Sequence, residues 1–139
     1  FYERMRDQAR LTRVVLRESG GLDDLQSYEA LVSSELIAVE SARTIDRLRL
    51  QGSLTTEEAA TRLRSVNEWL EAIDLVLLRT PVLSRASEPM PIPLGTLDAL
   101  HLATALIWRD RMGPLTAVLT HDTALGVAAQ AFGFEVRGV

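Results

Sequence analysis

The sequence predicts an α/β fold in which a mostly parallel sheet of about four or five strands lies between two layers of helices. Short apolar runs alternate with longer amphipathic segments, which is typical of β-α-β units. Turn-forming residues separate these segments, among them Gly52, Pro81 and the pair Gly113-Pro114. We therefore expect residues 1–139 to form one domain, a three-layer α/β/α sandwich.

The expected elements follow from apolar periodicity and from capping residues. Strands are assigned to short apolar runs, and helices begin at hydroxyl or carboxylate side chains and end near Gly or Pro. In chain order we expect a strand at Ala30–Ser34, a helix capped by Ser33 or Ser34 and running to Leu50, a helix from Thr55 or Thr56 to about Glu71, a strand at Ile73–Leu78, a short helix near Val82–Ser87, a helix from Thr96 to about Met112, a strand at Leu115–Thr120, a helix from Asp122 to about Phe132 and a strand at Phe134–Arg137.

The beginning of the chain gives a weaker pattern. Residues 7–17 predict a helix, or a loop that leads into one, because Leu11 and residues 14–16 are apolar. Residues 1–6, FYERMR, alternate poorly and carry three charges. If the fold needs a first strand there, we expect it to be atypical.

The composition restricts the chemistry that this fold can carry. The chain has 47% apolar and 24% charged residues, which is ordinary for a globular domain. Cysteine is absent, which excludes disulfides and thiolate metal sites and fits a reducing compartment. Because we find neither a signal-peptide pattern nor an apolar run of about 18 residues, we expect a cytoplasmic protein without a membrane span. The net charge of −4 disfavours a general nucleic-acid coat, but it permits a nucleic-acid enzyme whose acids bind metal.

An acidic residue stands at the entrance of the most apolar predicted helix, in the segment LGTLDALHLATA. Thr96 is the expected N-cap, so that Asp98 falls in the first turn, where unpaired N–H groups and the helix dipole favour negative charge. A buried helix gains no packing energy from an acid at this position. The segment therefore predicts a rigidly held carboxylate.

Further acids are expected at the same edge of the sheet, beyond the carboxyl ends of its strands, where such folds bind ligands. Glu40 lies in the helix after the strand at residues 30–34, and Asp122 follows the strand that ends at Thr120. Thr120 can orient Asp122 or a bound water, and Asp7 joins the set if the segment before it is the first strand. Neighbouring carboxylates repel one another unless a divalent cation with oxygen ligands neutralises them. The sequence thus predicts a Mg²⁺ or Mn²⁺ site.

These segments resemble the signatures of PIN-domain ribonucleases, in particular the VapC-type toxins of bacterial toxin-antitoxin pairs. The segment around Asp98 is similar to the family's central motif, SSELIAVESAR to its second motif with Glu40 as the acid, and VLTHDTALGVAAQAFGFEV to its C-terminal motif with Thr120 and Asp122. Residues 14–20, VVLRESG, match the part of the family pattern in which an apolar helix leads to a sequence like LREPG, and counting back in register puts Asp7 at the first acid. The resemblance covers roughly residues 7–139.

The chain departs from the family pattern at its beginning. The family has an apolar strand that ends in Asp and is followed by small hydroxyl residues. Here the preceding segment is charged, and Gln8 and Ala9 replace the hydroxyl residues. The departure concerns both the first ligand, Asp7, and the first strand.

The resemblance implies a metal-dependent endoribonuclease. One or two Mg²⁺ or Mn²⁺ ions, held by Asp7, Glu40, Asp98 and Asp122 with Thr120 beside them, would acidify a water and stabilise charge on the phosphodiester. It also implies a homodimer, to which Trp108 is a candidate contact, and a small VapB-like antitoxin that lays a helix across an apolar groove.

Each of these residues also has a purely structural interpretation. Asp98 and Asp122 can be helix caps, and Glu40 can pair with Arg43 or Arg47 on its own helix. His101 and His121 are isolated in the sequence, so core or surface positions are favoured over metal ligation. Glu35 is expected to be a solvated charge.

Two other classes of protein compete with the nuclease. A phosphoacceptor receiver domain also gathers carboxylates around Mg²⁺, but it needs a Lys beside the acyl phosphate, and this chain has none. A degenerate PIN fold that binds an antitoxin or RNA without cleaving it remains an alternative, because of the context of Asp7.

Overall fold

The computed structural model describes the backbone of residues 13–16 and the whole of residues 30–139. These residues form five strands and five helices. The strands are β1 (Arg13–Leu16), β2 (Ala30–Ser34), β3 (Asp74–Val76), β4 (Ala117–Leu119) and β5 (Val136–Arg137), and the helices are α1 (Leu36–Leu50), α2 (Thr56–Glu71), α3 (Thr80–Ala86), α4 (Thr96–Met112) and α5 (Thr123–Ala131). None of the described helices combines the length and the apolar character needed to cross a bilayer.

The strands form one sheet in the order β3-β2-β1-β4-β5, and every pairing is parallel. The chain moves outward from β1 to β3 on one side, and then adds β4 and β5 on the other. The α/β class and the parallel sheet are therefore confirmed. In such a sheet the strand order reverses beside β1, and the crevice beyond the carboxyl ends at that point is the usual ligand site.

The central strand, β1, is a correction to the sequence prediction. Residues 13–16 were expected within a helix or the loop that leads into one, but Val14 pairs with Leu31 of β2 on one side and with Ala117 of β4 on the other. A four-residue apolar run is too short for periodicity to separate a strand from a helix, and its two valines favour the strand. The expected atypical strand at residues 1–6 and the acid Asp7 lie outside the described residues.

Helix α4 forms the centre of the hydrophobic core. Its buried residues include Leu102, Ala105 and Trp108, which pack with Val32 of β2 and Leu125 of α5. Fully burying one such aliphatic side chain contributes about 1.5–3 kcal/mol to the free energy of unfolding. A smaller cluster of Leu31, Ile37 and Ile73 lies under α1 and α2.

Two of the four predicted N-caps are confirmed. The cap of α1 is Glu35, without a side-chain cap bond, and not Ser33 or Ser34. Thr55 and Glu58 form a capping box at the start of α2, and the Thr55 N–H holds the pKa of Glu58 below its ordinary value. Asp122 caps α5. The cap of α4 is Gly95 and not Thr96, because the extended backbone ends at Gly95, whose carbonyl accepts the first helical bond from the Ala99 N–H at 2.9 Å.

Strand β3 ends two residues earlier than the predicted Leu78. The Leu78 N–H donates to Oε1 of Glu35 at 2.8 Å, so the backbone leaves the sheet to meet a side chain. Helix α3 begins earlier than expected, at Thr80, because Pro81 is tolerated in the first helical turn.

The last residues of the chain pack against the loop after β4, and one glycine makes this contact possible. Gly138 has φ of 103°, and a Cβ atom placed there would lie 2.6 Å from the carbonyl oxygen of Thr120. We expect Gly138→Ala to lower the free energy of unfolding by at least about 2 kcal/mol, from backbone strain and the clash together. Urea unfolding followed by circular dichroism measures the change.

The control for this prediction is Gly52→Ala. Gly52 has φ of 80° but nothing within 4 Å of an added Cβ, so that variant carries the strain without the clash. We expect Gly52→Ala to lower the free energy of unfolding by only about 1 kcal/mol. Equal losses for the two variants would contradict the close approach at Gly138.

Candidate active site

Glu40 and His101 bring helices α1 and α4 together through a polar contact. Nε2 of His101 lies 2.5 Å from Oε1 of Glu40. The His101 residue is 2% exposed, whereas the Glu40 side chain is 19% exposed. The carboxylate therefore lies at the boundary between the core and solvent, against a ring that belongs to the core.

Asp98 lies one helical turn before His101 on α4. Side chains three positions apart on a helix are neighbours, with Cβ atoms about 5–6 Å apart. Since Glu40 contacts His101, Glu40 and Asp98 lie on the same side of α4 near its N-terminus. Asp98 is the third residue of this helix and is half-buried. The positive end of the helix dipole favours negative charge at this position.

The third acid, Asp122, stands after β4 in a loop with well-defined hydrogen bonds. Its backbone N–H donates to Oγ1 of Thr120 at 3.0 Å, and its Oδ1 accepts from the Leu125 N–H at 2.8 Å. Thr120 is buried. The expected role of Thr120 in orienting Asp122 remains a prediction, but this bond gives it a physical basis. The interpretation of Asp122 as an N-cap is confirmed.

The carboxyl end of β2 anchors the helix that carries Glu40. Ser33 and Ser34 are fully buried, and Oγ of Ser34 accepts from the Leu36 N–H at 3.2 Å. The Glu35 N–H donates to the Val76 carbonyl at 2.9 Å. Glu35 thus joins the ends of β2 and β3 through both its backbone and its side chain, and the expectation that it is only a solvated charge is wrong.

The structural alternatives for Glu40 and His101 resolve differently. Arg43, one of the two arginines expected to pair with Glu40, bonds Asp46 at 3.1 Å. The pairing of Glu40 with Arg47 stays a prediction. Of the core and surface positions expected for His101, the structure shows the core position, and the ring also contacts Glu40. Its spacing of three residues from Asp98 is the sequence signal that could have identified it.

The described acids supply only part of the predicted metal site. Asp7 lies outside the described residues, and among those described no three His, Cys, Asp or Glu side chains converge closely enough to hold a metal ion. Glu40 and Asp98, which lie on the same side of α4 near its N-terminus, are both carboxylates. Carboxylate oxygens suit the hard cations Mg²⁺ and Mn²⁺. The donor chemistry therefore fits such an ion, and Glu40 and Asp98 would hold it together with further ligands.

An apolar groove of about 510 Å³ lies at the opposite end of α4. Its walls come from β3, α3 and the last turns of α4, and the side chains at its rim include Arg79 and Arg111. Trp108 forms part of the wall and stands ten residues after Asp98, about 15 Å along the helix. The groove is therefore separate from the acidic site, by which we mean Glu40 and Asp98.

Comparisons with known proteins identify a family for this arrangement. The profile of the PIN domain matches residues 11–129, a range that contains Glu40, Asp98 and Asp122 but not Asp7. The chain is also 35% identical, over 122 aligned residues, to Ribonuclease VapC35 from two strains of Mycobacterium tuberculosis, CDC 1551 / Oshkosh and ATCC 25618 / H37Rv. The alignment covers 77% of this chain and 90% of the relative.

The cap geometry of Asp122 predicts different stabilities for two substitutions. Asp122→Ala removes the acceptor for the Leu125 N–H and should lower the free energy of unfolding by about 1 kcal/mol. Asp122→Asn keeps an oxygen acceptor, so its free energy of unfolding should stay within a few tenths of a kcal/mol of the wild-type value. Urea unfolding measures both. If asparagine destabilises as much as alanine, the side chain does not act as the cap.

Proposed function

Because the chain belongs to the PIN-domain family, we propose that it is a metal-dependent endoribonuclease, the toxin of a bacterial toxin-antitoxin pair, which hydrolyses RNA phosphodiester bonds. One observation carries the proposal. Asp98 stands in the first turn of helix α4, and Glu40 lies on the same side of this helix because it contacts His101. Both carboxylates stand beyond the carboxyl ends of parallel strands. This is where an α/β fold binds its substrate.

The proposed ligands of the ion are Asp7, Glu40, Asp98 and Asp122, and Thr120 fixes the loop that carries Asp122. When bound, Mg²⁺ or Mn²⁺ would acidify a water and stabilise negative charge on the phosphodiester. The chain's own contribution is to keep the carboxylates in place. Glu40 is held by a buried ring, and the loop of Asp122 is held by the Thr120 hydroxyl and the cap of α5.

We further propose that residues 1–139 form a single domain with the three-layer arrangement of the family. We also propose that the protein acts in the cytoplasm of a bacterium, because an RNA substrate and a VapB-like antitoxin would be found there. A VapB-like antitoxin with a basic segment is the proposed inhibitor. The net charge of −4 and the acids near α4 favour such a segment electrostatically.

The second candidate is a PIN module that binds RNA or an antitoxin without cleaving RNA. One observation favours it. The family match begins at residue 11, after Asp7. The experiments below separate the two candidates.

The first experiment removes the charge of Asp98. We expect Asp98→Asn to reduce RNA cleavage in Mg²⁺ at least about 100-fold, because the variant loses an anionic oxygen ligand. Its melting temperature should stay close to that of the wild type. Cleavage is followed with a fluorogenic RNA, and the matched control is Asp110→Asn, which alters an exposed acid near the other end of the same helix. Full cleavage by Asp98→Asn would refute the assignment.

Metal binding is measured separately from cleavage. We expect saturating Mn²⁺ to raise the melting temperature of the wild type and of Asp110→Asn, but not of Asp98→Asn, because only a folded site binds the ion. If Mn²⁺ stabilises the wild type while RNA stays intact, the non-cleaving alternative is correct. If Mn²⁺ has no effect on the wild type, the proposed metal site is absent.

We propose that the apolar groove is the contact surface of a homodimer, because exposed apolar surface of this kind commonly marks an interface. Leu77 lines the groove and is 47% exposed, so Leu77→Glu should favour the monomer without unfolding the chain. Sedimentation velocity measures the oligomeric state. Val127→Glu is the control, since Val127 is 46% exposed on α5 and does not line the groove. A dimer unaffected by Leu77→Glu would exclude the groove as the interface.

A further inference from the structure

We propose that His101 is a positioning residue whose Nε2–H holds the carboxylate of Glu40 in place for the cation. The inference rests on the proposed function, because it needs Glu40 to be a metal ligand. His101 is not itself a ligand in this proposal, but orients one. Three features of the described residues support it: the direction of the hydrogen bond, the burial of the ring and the register of α4.

The direction of the hydrogen bond follows from the two partners. An ionised carboxylate only accepts hydrogen bonds, so the proton in the contact of 2.5 Å stands on Nε2 of His101. In a neutral ring with its proton on Nε2, the second nitrogen, Nδ1, is a bare acceptor. The opposite arrangement, with Glu40 protonated and donating, would leave an Nδ1–H donor buried in the core. The first arrangement is therefore favoured.

The burial of the ring makes it a rigid support. His101 is 2% exposed, and the residues around it on α4, from Leu102 to Leu106, are buried as well. Within the described part of the chain its Nδ1 has no hydrogen-bond partner. An unsatisfied buried polar group costs about 1–3 kcal/mol, a cost that leucine at this position would avoid. Packing alone does not explain a histidine here, whereas the bond to Glu40 does.

The register of α4 connects this bond to the rest of the site. Asp98 and His101 are three residues apart on one helix, so the element that carries one proposed ligand also positions another. Hydrogen-bonded neighbours of metal ligands fix the orientation of those ligands, and their loss typically weakens metal binding about 10–100-fold. We expect an effect of this size from removal of the His101 donor.

The test compares three variants of α4 in the full chain, with the dissociation constant of Mn²⁺ measured by isothermal titration calorimetry. His101→Leu removes the donor and should weaken Mn²⁺ binding about 10–100-fold. His101→Gln keeps an N–H donor near the position of Nε2 and should recover most of the affinity. Thr104→Val is the control, because Thr104 is also buried and, within the residues that the structure describes, its hydroxyl bonds only the Leu100 carbonyl of its own helix.

Two further measurements separate positioning from a general loss of structure. Urea unfolding without metal identifies any variant that is destabilised. The Mn²⁺ affinity of Thr104→Val shows how much a substitution in the core of α4 changes binding when the His101 donor is still present. The ¹⁵N spectrum of the metal-free wild type reports the ring tautomer directly. We expect the Nε2–H form, and we expect Glu40→Gln to change the Nε2 chemical shift.

The outcomes distinguish this inference from the proposed function. If the wild type binds Mn²⁺ and His101→Leu binds it equally well, or if the ring carries its proton on Nδ1, the inference is wrong and the function stands. If His101→Gln binds as weakly as His101→Leu, the donor is not the cause, which also refutes the inference. If the wild type itself binds no Mn²⁺, the proposed function fails and the inference fails with it.

Discussion

The burial of α4 against the sheet is the constraint on which the rest of the structure depends. This helix contributes to the main hydrophobic core, to the acidic site and to the apolar groove. Its entrance carries Asp98, its second turn carries His101, and its last turns carry Trp108 and Met112. Because the helix is rigid and packed on several elements, the positions of these residues along it are fixed relative to one another.

Arginine contacts at the end of α4 extend this constraint to α5. Nη1 of Arg109 donates to the Phe132 carbonyl at 2.5 Å, and its guanidinium lies 4.3 Å from the centre of the Phe134 ring. The end of α5 is therefore tied to the end of α4. The beginning of α5 is tied by Asp122 and Thr120 to the loop after β4. Helix α5 is thus fixed at both ends, which limits the movement of Asp122 relative to Asp98.

Most of the described fold could be predicted from the sequence, because its helices are long and its strands are bounded by turn residues. Strand β1 could not, since its apolar run has no periodicity that separates a strand from a helix. The same limit applies to the site. Asp98 and Asp122 were predicted from charge at helix entrances and Glu40 from its place in the helix after β2, whereas the role proposed for His101 depends on a contact between residues 61 positions apart. The cap at Gly95 was missed because a glycine cap uses only its backbone.

The kind of partner that Glu40 has affects what its carboxylate can do. A guanidinium would neutralise the carboxylate and compete with a cation for its oxygen atoms. A histidine protonated on Nε2 alone orients the carboxylate through one hydrogen bond and leaves its negative charge in place. Arg43, one of the two arginines expected to pair with Glu40, is bonded to Asp46. Glu40 and Asp98 are both carboxylates near the positive end of α4, and their oxygen atoms are donors of the kind that a hard divalent cation prefers.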